Sequence, residues 1–494
     1  MGKVFLPHKD DIHLTILHTN DIHGDFLPEK KDGKMSGGIA RMSGYVRKIR
    51  EEEDNVIFLV AGDMFKGSII DSEYKGFSTI ELMNMLYPDA VTLGNHETDY
   101  GLSHLLFIEK CANFPIVNAN LFITTNHVRL FNPYINIDRG GLRVLVIGII
   151  TDEVLAQTKN ESIIGSFVDV REAAEEVKII IDNYKTTKTD YTVLLTHIGF
   201  DKDQELASLL SPELGVDLII GGHTHTFLSE PCYVNGIPIV QVGTGTDQIG
   251  RADITFSRLR HRTTSFTWQS IKVDEDLCEE DPNVNALINS YKEGTDQKYN
   301  QVLATFKRTL THPARNMETE LGNLFADFMQ EDSSFDLMIL GSGSLRLPEL
   351  GPVLTLQDLK VFFPYDDSLH LLTVTGAQLR RMIAFVMREE AFSGHTEFYQ
   401  YSKQLHFVWS RSQQRFLKFE FNGREVTDDQ RIKIALQDYH FQNFTDFFGV
   451  PFEEVAKNRR SRVIATSCQG IYEEMFTNRR NIDSKVEGRI TVVD

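Results

Sequence analysis

Five apolar runs in this chain each end on a side chain that can hold a metal ion. They are His13–Asp21 (HLTILHTND), Asn55–Asp63 (NVIFLVAGD), Asp89–Glu97 (DAVTLGNHE), Tyr191–Gly199 (YTVLLTHIG) and Asp217–His225 (DLIIGGHTH). A short apolar run, rich in β-branched residues and bounded by Gly, Asn or Asp, reads as a buried strand. In an α/β sheet, ligands gather beyond the carboxyl ends of the strands. The residues there are Asp21, His23, Asp63, Asn95, His197, His223 and His225. Seven nitrogen and oxygen donors aimed at one place are too many for one ion and enough for two. Carboxylate, imidazole and amide oxygen suit Mn, Zn, Co, Fe or Ni; without thiolates they do not choose among them. Asp21 and His23 stand two residues apart, as do His223 and His225. Gly221-Gly222 before the second pair lets the backbone approach closely.

Several classes of function are excluded by gross properties. At 494 residues the chain needs more than one core. A net charge of −19 argues against a protein that coats a nucleic acid polymer. It leaves a small nucleotide open, because bound cations supply local positive charge. No h-region precedes the first charges of MGKVFLPHKDDIHLTIL, and Leu6 fills the last place of a myristoylation motif that needs Ser or Thr. No run approaches the ~18 apolar residues of a membrane span. Cys111, Cys232, Cys278 and Cys468 are scattered without a C-x-x-C pair, as expected of reduced thiols in the cytoplasm. Oligomeric state is not indicated.

Strand-like and helix-like stretches alternate through residues 10–275, with amphipathic helices at Ser36–Glu53 and Asp169–Tyr184. A sixth apolar run, Arg143–Ile150, lacks terminal ligands and reads as a structural strand. The acidic stretch Asp274–Asp281 precedes Pro282, a pattern that opens a helix. Residues 276–307 therefore read as an acidic linker and a connecting helix running to about Lys307. Mixed strands and helices fill residues 308–494, where Asn422-Gly423 marks a hairpin.

Asp21-Ile-His23-Gly, Gly62-Asp63, Gly94-Asn95-His96-Glu97, His197 and Gly222-His223-Thr-His225 resemble, in order and spacing, the calcineurin-like metallophosphoesterases. LHTNDIHG, GNHETDYG, LTHIG and GGHTHT look like the 5′-nucleotidase branch, as do GSGSLR, FFPYDDSL, TVTGAQL and KVEGRITV in the second half. The resemblance implies an α/β protein: an N-terminal β-sandwich flanked by helices and a C-terminal α+β domain, joined by a linking helix. It implies two divalent ions, one held by Asp21, His23, Asp63 and His225. Asp63, Asn95, His197 and His223 would hold the other, with Asp63 shared. His96 would face the substrate phosphate with Asp99 behind it, and their three-residue spacing suits a carboxylate that orients an imidazole.

The implied reaction is hydrolysis of nucleoside 5′-phosphates by a water bridging the two ions. In the second half, Arg346 and Arg388 would meet phosphate or ribose, while Phe398 and Phe448 would stack on the base. Ser342 and Ser344 replace glycines of the family's loop, and Asn443-Phe-Thr-Asp446-Phe-Phe448 lacks the glycines of its usual string. Two further activities could use the same metal site: 2′,3′-cyclic-nucleotide phosphodiesterase, or hydrolysis of UDP-sugars or dinucleotides at a pyrophosphate. A catalytically silent nucleotide-binding protein is the reading from outside enzymology. The complete ligand set with His96 and Asp99 argues against it.

Overall fold

The computed structural model describes residues 11–494 apart from 32, 124–125, 127, 152–163, 168, 185–188, 332–333 and 395. The N-terminal segment read for leader and lipidation signals lies largely outside the described residues. The chain forms two compact units, residues 1–295 and 296–494.

The first unit is a sandwich of two six-stranded sheets. One runs Arg262–Lys272, Gln248–Ser257, Asp11–Thr19, Val56–Ala61, Ala90–Thr92, Ile116–Val117. The other runs Cys232–Val234, Ile237–Val240, Leu218–Ile220, Tyr191–His197, Leu142–Ile150, Tyr134–Arg139. Their central strands are parallel, so the carboxyl ends of each set lie together.

Why the strands read as unbroken apolar runs is visible in the burial. Leu14, Ile16, Ile57 and Leu59 face Val146, Val193 and Ile220 between the sheets. Their neighbours Leu17, Phe58 and Val60 point outward, under the helices Ile39–Glu52, Phe77–Leu86 and Leu102–Cys111. Leu145 and Leu194 do the same under Val170–Tyr184 and Phe200–Leu209. Strands buried on both faces lose the alternation of a half-wet sheet. Arg143–Ile150 is structural as expected: it lies beside Tyr191–His197 and continues its ladder through Thr151 N–H to the His197 carbonyl (2.8 Å).

The linking helix is Pro282–Tyr299, shorter than the sequence pattern indicates. Asp281 Oδ1 accepts the N–H groups of Asn283 (3.0 Å) and Val284 (3.4 Å), capping its start. It stops at Tyr299 because Val302–Thr305 pairs with Val353–Thr355 instead. Val284 and Ile288 complete the core of the first unit.

The second unit holds a five-stranded mixed sheet centred on Arg431–Gln437 and a four-stranded sheet that includes Leu405–Ser410. Its helices include Glu320–Gln330, Gly376–Val386 and Cys468–Phe476. The Asn422-Gly423 hairpin forms with φ of 51° and 72°. Among the described residues, no helix is long and apolar enough to cross a membrane.

Candidate metal centre

The strand ends of the first unit bring all seven expected donors into overlapping groups. Asp21, His23 and His225 form one; Asp63, His197 and His223 form the second; His23, Asp63 and His96 form a third that links them, with ligand atoms inside each group within 4.8 Å of one another. Asn95 joins the second group through Oδ1, 2.9 Å from His223 Nδ1 and 3.3 Å from His197 Nε2. Asp63 reaches both groups: Oδ2 is 3.1 Å from His197 Nε2 and 3.9 Å from His23 Nε2.

The backbone is strained to achieve this. Asp21, His23, Asp63, His223 and His225 all hold positive φ, between 50° and 85°. Non-glycine residues rarely adopt that region, and such conformations cluster at functional sites. Neighbouring glycines make room. A Cβ on Gly222 would meet the Ala61 carbonyl at 2.5 Å, and one on Gly62 would meet His197 Nδ1 at 2.7 Å.

Hydrogen bonds set the tautomers. A backbone carbonyl only accepts, so His197 Nδ1–H donates to Ala61 O (2.8 Å) and His23 Nδ1–H to Phe65 O (3.1 Å). Their Nε2 atoms are thereby turned toward the cluster. His23 Nε2 meets His225 Nε2 at 2.9 Å, while His197 Nε2 faces Asp63 and Asn95 oxygens. Nitrogen donors converging this closely around two buried carboxylates suit a shared cation.

The protonation tendencies agree. Burial pulls His197 down, yet Asp63 and Asp21 outweigh it and push its pKa up to about 9. Burial would raise Asp63, but His197 and His96 hold it far below the usual carboxylate range. A proton on His197 supplies positive charge that the donor set demands. The residues therefore fit divalent ions.

His96 stands at the edge. Its Nδ1 is 2.7 Å from Asp99 Oδ2, its N–H donates to Asp63 Oδ1 (2.9 Å), and its ring centroid lies 5.2 Å from that of His23. Burial lowers its pKa, but Asp99 and Asp63 more than compensate, leaving it raised.

Three neighbours went unread in the sequence. Asn20 Nδ2 donates to Asp21 Oδ2 (2.6 Å). Lys66 Nζ lies 2.7 Å from Asp99 Oδ2. Glu97, 1% exposed, accepts the N–H groups of Asp63, Met64, Phe65 and Gly94, tying the Asp63 loop to the Asn95 loop. Its position inside the GNHE string was the available signal.

The second unit places the remaining predicted residues unevenly. A cavity of about 600 Å³ is lined by Arg315, Arg388, Phe398, Tyr439, Asp446 and Phe447, among others. Arg388 and Phe398 are thus brought together there. Phe448 is not: it is 1% exposed, its ring packed on Tyr399 and Phe444. Phe447 and Tyr439 supply the accessible rings instead, with centroids 5.5 Å apart. Arg346 does not line this cavity and lies over the Tyr365 ring, 5.6 Å from its centroid. The two serines that stand for glycines are used internally, Ser342 Oγ accepting from Gln400 and Ser344 Oγ donating to Gln437.

Comparison with known proteins accounts for both units. Residues 14–227 match the family described as calcineurin-like phosphoesterase, and 301–450 the 5′-nucleotidase C-terminal domain. A snake venom 5′-nucleotidase from Naja atra is 30% identical over 414 residues, 74% of this chain and 77% of that one. The chain belongs to the 5′-nucleotidase family of calcineurin-like phosphoesterases. The human 5′-nucleotidase is 28% identical over 427 residues, covering 77% of this chain and 73% of that relative. In fold, the 5′-nucleotidase precursor from Thermus thermophilus superposes with a TM-score of 0.63 at 23% identity, over 98% of this chain and 100% of that one. The putative 5′-nucleotidase from Staphylococcus aureus gives 0.68 at 18% identity, over 97% and 100%. The protein is a phosphoric ester hydrolase of a family that binds divalent metals.

Proposed function

We propose that the protein hydrolyses nucleoside 5′-phosphates to nucleoside and inorganic phosphate, using two divalent ions. The observation that carries this reading is the placing of Asp63 between the two donor groups, 3.1 Å from His197 Nε2 and 3.9 Å from His23 Nε2, beside a histidine that Asp99 orients. Asp21, His23, Asp63 and His225 would hold one ion, and Asp63, Asn95, His197 and His223 the other. Bound there, the ions supply Lewis acidity, acidifying a water and neutralising phosphoryl oxygens. Ala61 and Phe65 carbonyls keep His197 and His23 in the tautomer that offers Nε2. His96, its Nδ1 proton held by Asp99, directs Nε2 toward the phosphate, stabilises its developing charge and protonates the leaving oxygen.

Nucleoside recognition is assigned to the cavity of the second unit, where Tyr439 and Phe447 offer ring surface, the buried Phe398 forms part of the wall, and Arg315 and Arg388 offer positive charge. Relatives named 5′-nucleotidase support that choice of substrate. The four free thiols support a cytoplasmic site of action. The test is hydrolysis of mononucleotides, cyclic nucleotides, UDP-sugars and dinucleotides, each with Mn²⁺, Zn²⁺, Co²⁺ and Mg²⁺. Fastest turnover of 5′-mononucleotides is the expected result. Preference for a cyclic or pyrophosphate substrate would overturn the assignment while leaving the metal centre intact.

A further inference from the structure

Lys66 occupies a built position. Its φ of 65° is one that side-chain-bearing residues avoid. Two contacts hold it there. The Lys66 N–H donates to Asp71 Oδ2 (2.6 Å), a carboxylate with no exposure whose other oxygen takes the Thr79 hydroxyl. The next residue, Gly67, passes so close to His23 that a Cβ would stand 2.2 Å from the His23 carbonyl. The result is a lysine 55% exposed, its Nζ 2.7 Å from the same Asp99 oxygen that meets His96 Nδ1.

That shared oxygen fixes the charge which this edge of the centre presents. Lys66 adds one positive charge to the His96–Asp99 pair. The ammonium lies two hydrogen bonds from the His96 ring and borders solvent.

We propose that Lys66 is a specificity-determining residue that biases the centre toward doubly charged phosphate monoesters over singly charged diesters. The inference rests on the phosphoesterase reading above and extends it to substrate charge. A dianion gains more from an added fixed cation than a monoanion does, and a partly exposed cation acts through a screened field. The effect on a rate ratio is therefore of order three- to tenfold. A purely structural ion pair at this exposure would contribute little and would not discriminate by substrate charge.

The test compares p-nitrophenyl phosphate with bis(p-nitrophenyl) phosphate on the Mn²⁺-loaded full chain. Lys66→Met should lower the monoester-to-diester ratio of kcat/KM by roughly three- to tenfold. Lys66→Arg, which keeps the charge, should hold the ratio within about twofold. Titration calorimetry with inorganic phosphate should show weaker binding to Lys66→Met, and added NaCl should lower the wild-type ratio more steeply than that of Lys66→Met. An unchanged ratio in Lys66→Met, or an equal loss in Lys66→Arg, overturns the proposal. Wild-type protein inactive on both esters would remove the phosphoesterase reading, and this inference with it.

Discussion

Replacing Gly94 by alanine adds one methyl group at the place where two ligand loops touch. A Cβ there would lie 2.2 Å from Asp63 Oδ1 and 2.3 Å from Asp63 N. Non-bonded heavy atoms settle at about 3.5–4.0 Å, so one loop must retreat by roughly 1 Å or more. Asp63 has no slack to give. Its Oδ1 takes the His96 N–H, its Oδ2 faces His197 Nε2, and its own N–H is spent on Glu97. Displacing a catalytic group by about 1 Å costs on the order of a hundredfold in rate, equivalent to ~2.7 kcal/mol of barrier. Overpacking costs stability as well, about 1–3 kcal/mol.

The assay is kcat/KM for p-nitrophenyl phosphate with Mn²⁺, metal content by elemental analysis, and thermal melting. Gly94→Ala should turn over at least a hundredfold slower and carry less metal. Gly33→Ala is the control: its φ is 86°, yet nothing lies within 4 Å of an added Cβ. It strains the backbone without collision and should leave turnover intact. Gly94→Ala with full metal and turnover within threefold of wild type would refute the argument, since Asp63 would then tolerate the displacement.

Asp63→Asn should abolish turnover and lower bound metal, because this carboxylate reaches both donor groups; two retained ions with near-wild-type activity would contradict that. His96→Ala should keep its metal and lose about two to four decades of kcat, and loss of metal instead would make His96 a ligand. Phe447→Ala should raise KM for nucleotides roughly five- to 150-fold, the worth of ~1–3 kcal/mol of base stacking, with little change for p-nitrophenyl phosphate. Phe448→Ala should instead lose about 3–5 kcal/mol of stability, and the reverse pattern would exchange the two rings' roles. Acid should weaken the fold through His18, which is fully buried and accepts the Trp268 N–H (2.8 Å). Burial pushes its pKa down from 6.5 to about 3, so below pH 6.5 the unfolded chain gains a proton that the folded one refuses. Stability then falls between pH 6.5 and 3, by roughly 4–5 kcal/mol in all. Urea midpoints should drop less steeply with pH in His18→Gln, and parallel curves would remove His18 as the cause.

The first unit was legible because its central strands are buried on both faces and end on their ligands. Leu14 through Leu17 and Ile57 through Val60 needed no alternation to be recognised, since helices and the facing sheet dry both sides. The clamp formed by Glu97 was hidden, because one-dimensional spacing does not show which backbone N–H groups a carboxylate will gather. The positive φ values of Asp21, His23 and Asp63 were equally invisible, since these residue types carry no mark of the strain they bear. In the second unit, Phe447 and Phe448 are adjacent on the short helix Phe444–Phe448. One residue of helix turns a side chain by about 100°, so alignment on Asp446 could not say which ring meets the cavity. Arg346 lies apart from that cavity: its loop is pinned by buried serine hydroxyls, and its guanidinium rests on Tyr365.

The linking helix decides where this chain can be cut. A truncation at residue 275, where composition changes, would discard Val284 and Ile288, which are 0% and 1% exposed within the first unit's core. Burying two such side chains is worth about 3–6 kcal/mol, comparable to the whole stability of many domains. The metal-binding half is therefore not modular at its compositional border. Any exchange of second units between relatives, in the laboratory or in evolution, must carry the first turns of this helix along with the sandwich they complete.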